Sequence, residues 1–394
     1  MLQSIALILL VGLIAGSILK KIKMPSLVGW IIAGIIISPF MDKKLLSISG
    51  DLRQIALIII LTRAGLALNL DNLKKVGKSA ILMSFVPASI ELLACTIFAP
   101  YFLGLSVLDS ALLGSVLAAV SPAVVAPRMI DLIEKNIGTK KGIPEMILAG
   151  SSVDDVYVIV FFSTFLSLEI SKKMNILSFV LIPVNIIVGI VLGLVLAYLL
   201  LKLMKYIKLS KEAKLILLLS LSFLILILPK FFPIAPLLSI MTLGVYINKK
   251  DSVLCEQMKK NYENLWKIFE IILFVLVGVS LHVNLTNINL FKVILLIFVI
   301  QIFRALGVML SLSGTKLNIK EKVFCVFSYI PKATVQAAIG SIPLMSGLDC
   351  GVIILFVSVV AILTTAPIGA YLIDKSRKLL LWLCMFFHNI LCQF

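Results

Sequence analysis

The stretch ILAGSSVDDVYVIVFF, residues 147–162, is almost wholly apolar, yet Asp154 and Asp155 sit side by side in its middle. Apolar runs of about 17–25 residues are what a bilayer-spanning helix needs. Such runs recur along all 394 residues, of which 61% are hydrophobic and 14% charged. With a mean hydropathy of +1.16, the chain reads as an all-α polytopic membrane protein. The runs are continuous rather than alternating, which excludes an outer-membrane barrel. The question is why two acids occupy a place where water is scarce.

The other composition signals narrow the field. Cys95, Cys255, Cys325, Cys350, Cys384 and Cys392 form no C-x-x-C pair and no disulfide framework, and His282 and His388 stand alone. Neither a metal centre nor any other cofactor is expected. A net charge of +17 could point to nucleic acid, but cytoplasmic loops of membrane proteins collect Lys and Arg, so placement decides.

Thirteen helices are expected, at about 2–19, 24–40, 52–70, 78–103, 108–133, 145–170, 175–206, 212–231, 233–248, 261–283, 290–312, 321–346 and 350–374. The eighth and ninth are separated only by PKFFP (229–233). Counted with their flanks, the loops after odd-numbered helices plus the tail carry 26 Lys and Arg, against 7 after even-numbered ones. That asymmetry places the N-terminus outside and the C-terminus in the cytoplasm of a multi-pass protein of the cell membrane. It also accounts for the positive charge without nucleic acid.

An internal repeat is visible. LTRAGLALNL (61–70) aligns with LVGVSLHVNL (276–285), and SPAVVA (121–126) more loosely with PKATVQ (331–336). The offset spans seven helices, an odd number, so the halves 1–170 and 212–374 would lie inverted, joined by a linker helix at 175–206. Residues 375–394 are read as a short tail. Inverted repeats are typical of secondary transporters, whose sites are built from broken helices. The fifth helix carries Pro122 and Pro127, and the twelfth Pro331, Gly340 and Pro343. Unwound backbone is expected at both; the alternative reading is a plain proline kink.

Six ionisable residues are taken as candidates sitting well within helices: Arg63, Glu91, Asp154, Asp155, Arg304 and Lys332. They are three acids and three bases, so a purely structural ion-pair network is one reading. The adjacent aspartates resist it. Neighbours on a helix point about 100° apart, so the two carboxylates cannot share one task. One can face a cavity while the other pairs with a base. A confined carboxylate can exchange a proton for a small cation near neutral pH, with hydroxyls such as Ser121 and unwound carbonyls as further oxygen ligands. The repeat offset carries Asp154 and Asp155 onto Thr364 and Thr365, so the scaffold does not itself demand acids there. Glu91 and Arg304 occupy matching positions in the fourth and eleventh helices and are expected to form a buried salt bridge. Lys332, next to Pro331, is expected to balance an unwound helix end or pair with Asp154, with Gln336 in the same stretch. Arg63 is expected to bind backbone carbonyls in a structural role.

These residues resemble the monovalent cation:proton antiporter superfamily, in the branch with two adjacent aspartates that includes NapA-type and NhaA-type antiporters and animal NHA-type exchangers. The motifs that carry the resemblance are VSPAVVAP (120–127), GSSVDDV (150–156), LTRAGLAL (61–68) and PKATVQAAIG (331–340). It covers about residues 5–374. It implies the NhaA-like fold, with crossing broken helices at Ser121–Pro127 and around Lys332. It further implies a homodimer whose core domain moves like an elevator against a dimerisation domain, exchanging Na⁺ or Li⁺ for H⁺. Asp155 then matches the main carrier, a transient Na⁺ ligand, and Asp154 its neighbour. One departure stands out. Where NapA-like and NhaA-like members carry a lysine in the eleventh helix, this chain has Arg304, which leaves the number of protons per cation open. The rival readings are a K⁺/H⁺ antiporter, a channel, and an organic-anion symporter of related fold. An enzyme is disfavoured, because no nucleophile–base pair lies within the membrane.

Overall fold

The computed structural model describes residues 1–68, 77–171, 176–207, 209–230, 234–281 and 288–377. His282, His388, Cys384, Cys392, most of the tail, and the ends of both LTRAGLALNL and LVGVSLHVNL lie outside them. Every regular element among the described residues is helical: α1 (Leu2–Lys21), α2 (Ser26–Ile37), α3 (Lys43–Ala67), α4 (Lys78–Leu103), α5 (Val107–Leu117), α6 (Pro122–Glu134), α7 (Ile143–Ser171), α8 (Ile176–Tyr206), α9 (Lys211–Ile227), α10 (Pro236–Lys250), α11 (Ser252–Leu281), α12 (Leu290–Ser311), α13 (Ile319–Ser328), α14 (Thr334–Ile339), α15 (Ile342–Met345) and α16 (Gly351–Ser376). Nine spans among the described residues are long and apolar enough to cross a membrane, with α5 and α6 counting together as one.

Helix starts follow local chemistry. Ser106 Oγ accepts from Asp109 N at the head of α5. Asn289 Oδ1 caps α12. Asn318 and Glu321 form a reciprocal capping box at α13. Two expected boundaries are corrected. The third helix begins at Lys43 rather than near 52, because the Asp42 side chain caps it. The tenth begins at Ser252 rather than near 261. The charged residues Lys43, Lys44 and Asp51 in the one, and Glu256, Lys259 and Lys260 in the other, had hidden those first turns. Arg53 is buried inside α3, donating to Ser49 O and Ser280 Oγ.

The helices pack in two groups. In one, α2 packs on α1 and α11, α3 on α10 and α11, and α8 on α10; in the other, α4 packs on α5, α7 and α12, α6 on α7, and α13 on α16. The first group is closed by backbone-to-backbone crossings. A Cβ on Gly278 would lie 2.2 Å from Ile31 O, and one on Gly65 would lie 2.3 Å from Met241 O. Gly34 and Gly244 face these two glycines across the same crossings. The groups meet where α7 touches α10 and where α14 touches α3 and α11.

Candidate functional site

Two helix interruptions cross at the centre of the second group. The first separates α5 from α6. Pro122 lacks the N–H that α5 would need to continue, and its fixed φ suits the first position of a new helix. Pro127 lies within α6 without breaking it. The second interruption runs from Tyr329 to Ala333, between α13 and α14, and a further stop at Gly340 and Ser341 separates off the short α15. The extended segments are joined by a backbone hydrogen bond from Ser121 N to Pro331 O, 2.8 Å. A second bond, from Lys332 N to Thr365 Oγ1 (3.0 Å), ties the crossing to α16.

Breaking a helix strands carbonyls at its C-terminus and N–H groups at the next N-terminus. Five of the stranded groups here meet a polar or charged side chain. The end of α5 receives donors: Lys332 Nζ reaches Leu117 O at 2.5 Å, Arg304 donates to Ala118 O, and Gln336 Nε2 donates to Ala119 O at 2.8 Å. Gln336 Oε1 in turn accepts from Ala333 N at 2.8 Å, capping α14. Just ahead of α6, Val120 N donates to Asp154 Oδ2 at 2.8 Å. Cations thus face a helix C-terminus and an anion faces an N-terminus, as the helix dipole favours.

The charged side chains form one buried network. Arg304 bridges Glu91 and Asp154, the latter at 3.2 Å, and Lys332 Nζ binds Glu91 Oε1 at 2.7 Å. All four are at most 1% exposed. The Glu91–Arg304 pair forms as expected, but the partner of Lys332 is Glu91 and not Asp154. Asp154 is held instead by Arg304 and by the Val120 N–H. Glu91 and Asp154 balance Arg304 and Lys332, so this quartet is neutral.

Asp155 stands apart from it. It is 7% exposed, and its Oδ1 is buried with no hydrogen-bond partner. Together with Leu57, Ile60, Leu61, Ala64, Ile159, Val335, Ala338 and Ile339 it lines a cavity of about 20 Å³. That cavity lies between α3 of one helix group and α7 and α14 of the other. A larger cavity of about 250 Å³, lined by Gln54, Ser163, Asn185 and Pro236 among others, shares Leu57 with it. Ser121 is fully buried beside the crossing, and its Oγ lacks a partner. Among the described residues no group of three or more His, Cys, Asp or Glu is placed to hold a metal.

Arg63 does not serve the crossing. It pairs with Glu263 of α11 at 3.0 Å and is about one-third exposed, so its partner is an acid rather than backbone carbonyls. Thr365 and Tyr329 also belong to the site. The repeat offset had landed on Thr365, but only as the place where an acid is missing, and a lone tyrosine gave no signal.

The family model described as sodium/hydrogen exchanger, transmembrane, matches residues 5–373. The chain belongs to this family. Similar relatives include human sodium/hydrogen exchanger 9B2, 32% identical over 92% of this chain and 72% of the relative. Mouse sodium/hydrogen exchanger 9B1 is 34% identical over 91% of this chain and 68% of the relative. Among solved structures, the sodium proton antiporter MjNhaP1 from Methanocaldococcus jannaschii superposes with a TM-score of 0.82 at 21% identity, covering 96% of this chain and 98% of that one. The exchanger therefore shares that antiporter's fold.

Proposed function

We propose that this exchanger trades Na⁺ for H⁺ at Asp155 by alternating access. The observation that carries the reading is that Asp155 is left as a buried carboxylate with an unpartnered oxygen once Glu91, Asp154, Arg304 and Lys332 have neutralised one another. A lone buried carboxylate is costly to keep charged. A proton or a monovalent cation relieves the same single charge, so the two compete for one place. Ser121 and the carbonyls of the crossing are the further oxygens proposed as ligands. Lys332, Gln336 and Pro122 keep the crossing open, and the Glu91–Arg304 pair braces it.

The elevator reading is supported by the position of Asp155, which belongs to one helix group and faces a wall supplied partly by the other. Inverted repeats over 1–170 and 212–374 are supported by contacts between matching residues. Ser121 meets Pro331, Glu91 meets Arg304, and the crossings of Gly34 with Gly278 and Gly65 with Gly244 exchange under a similar offset. Residues related by a two-fold axis touch where they lie on it. Thirteen spans, a homodimer built on the first helix group, and a cell-membrane location with the N-terminus outside complete the proposal.

The test is Na⁺-dependent proton flux in proteoliposomes carrying wild type or Asp155→Asn. The substitution keeps the shape and removes the titrating oxygen. We expect wild-type exchange to be robust and the folded variant to be silent. Exchange at the wild-type rate in Asp155→Asn would sink the assignment.

A further inference from the structure

The two cavities near Asp155 lie end to end along a pair of helices. On α7, Asp155, Ile159, Ser163 and Ser167 follow one another at four-residue steps and so share one stripe. Asp155 and Ile159 line the smaller cavity, while Ser163 and Ser167 line the larger. The stripe on α3 runs Ala64, Leu61, Leu57, Gln54 and divides in the same way. Ala64 and Leu61 line the smaller cavity, Gln54 lines the larger, and Leu57 lines both. Leu57 is 2% exposed. On both stripes the residue beyond this level is polar: Gln54 on α3 and Ser163 on α7.

The larger cavity lies toward one face of the bundle. It is bounded by the first half of α3, the last turns of α7, the end of α9 and the start of α10, which the alternation of the chain brings to the same face. Met1 marks that face, because its amino group pairs with Asp42 at the head of α3. Under the topology proposed above, this is the outer face. Ser163 stands toward it, about 12 Å along α7 from Asp155.

Size and chemistry separate the two spaces. At about 250 Å³ the larger has room for about eight waters, enough for an alkali cation with a first shell, whereas the smaller, at about 20 Å³, has room for about one. Ser167 Oγ bonds back to Ser163 O at 2.8 Å, the usual resort of a serine inside a helix. Ser163 Oγ makes no such bond; it is buried without a hydrogen-bond partner, a costly state for a hydroxyl. Gln54, on the facing helix, is exposed and carries an amide oxygen able to accept. Neutral oxygens of this kind are what a hard cation takes in place of water.

We propose that the larger cavity is an antechamber in which an incoming alkali cation trades part of its water for Ser163 Oγ and Gln54 Oε1, and that Leu57 is the partition it passes to reach Asp155. The inference rests on Asp155 as the carrier. Dehydration is thereby divided: the first waters are exchanged for oxygens, and the rest are shed at an apolar step.

The experiment uses the full chain in proteoliposomes, with Ser167→Cys as a reporter in the antechamber and Ala64→Cys as a reporter behind Leu57. Both are reacted with a membrane-impermeant, positively charged methanethiosulfonate, and labelling is counted above that of wild type with its native cysteines. Thiol reaction follows access, so we expect Ser167→Cys to react about tenfold faster than Ala64→Cys, and Leu57→Ala to remove most of that gap by speeding Ala64→Cys. Na⁺ in place of choline should slow the Ser167→Cys reaction about threefold when about two-thirds of the antechambers are occupied. That protection should persist in Asp155→Asn and disappear in Ser163→Ala. Labelled Ser167→Cys should lose its Na⁺-dependent proton flux. Equal reaction of the two reporters, protection that survives Ser163→Ala or vanishes in Asp155→Asn, or flux undiminished by the label overturns the proposal. Should Leu57→Ala fail to fold, an Ala64→Cys reaction unchanged by Leu57→Val does the same. Exchange that persists in Asp155→Asn would instead defeat the carrier reading, and the labelling rates, which need no transport, still decide the antechamber.

Discussion

Glu91 holds two bases, Arg304 and Lys332, while Arg304 holds two acids, Glu91 and Asp154. The four charges are therefore not interchangeable. Removing one member of a buried pair costs about 3–5 kcal/mol, because the other charge is stranded without water. Glu91→Gln strands Lys332, and Lys332→Met leaves Glu91 with only Arg304. We expect each to lower the melting temperature of the detergent-solubilised protein. The double variant should lose less than the two losses added, since no uncompensated charge remains. Strict additivity would show that the contact contributes nothing. Asp155 calls for the opposite expectation. It has no base of its own, so Asp155→Asn should leave the melting temperature unchanged or raise it, even as transport stops.

At the scale of helices, two glycine crossings close the first group. The α2–α11 and α3–α10 crossings bring backbone against backbone, with no side chain available to yield. A methyl group at residue 278 meets the Ile31 carbonyl, so Gly278→Ala should cost about 1–3 kcal/mol by overpacking. Gly314→Ala, in a turn with nothing within 4 Å, should be silent in the same thermal assay. The parts of this architecture that sequence made legible follow from uninterrupted physics. Long apolar runs marked helices, prolines marked both interruptions, and isolated charges marked the quartet. What stayed hidden had contrary local signals. Lys43, Lys44 and Asp51 made the start of α3 look like loop, and Glu256, Lys259 and Lys260 did the same for α11. The partner of Lys332 was open for a different reason. Spacing along the chain says which residues enter the bilayer, but the choice between Glu91 and Asp154 depends on how deep the crossing sits.

For the molecule as a whole, the neutral quartet bears on charge per cycle. If Asp154 stays paired throughout, one Na⁺ replaces one H⁺ and nothing net moves across the membrane. Exchange rates should then be flat against an imposed potential in proteoliposomes; a steep voltage dependence would mean that a second acid titrates. The cavity beside Asp155 sets a separate condition. At about 20 Å³ it has room for about one water, so an arriving ion must discard nearly all its hydration shell. Leu57, Ile60, Ile159 and Val335 offer no oxygen in return. Discrimination among cations becomes a contest between stripping and squeezing. Lithium is the hardest of the alkali ions here to strip, potassium is the hardest to fit, and sodium falls between them. Trimming the wall with Ile159→Ala should admit potassium in competition assays while sodium exchange persists, because what is lost is a barrier to ion radius and not a ligand.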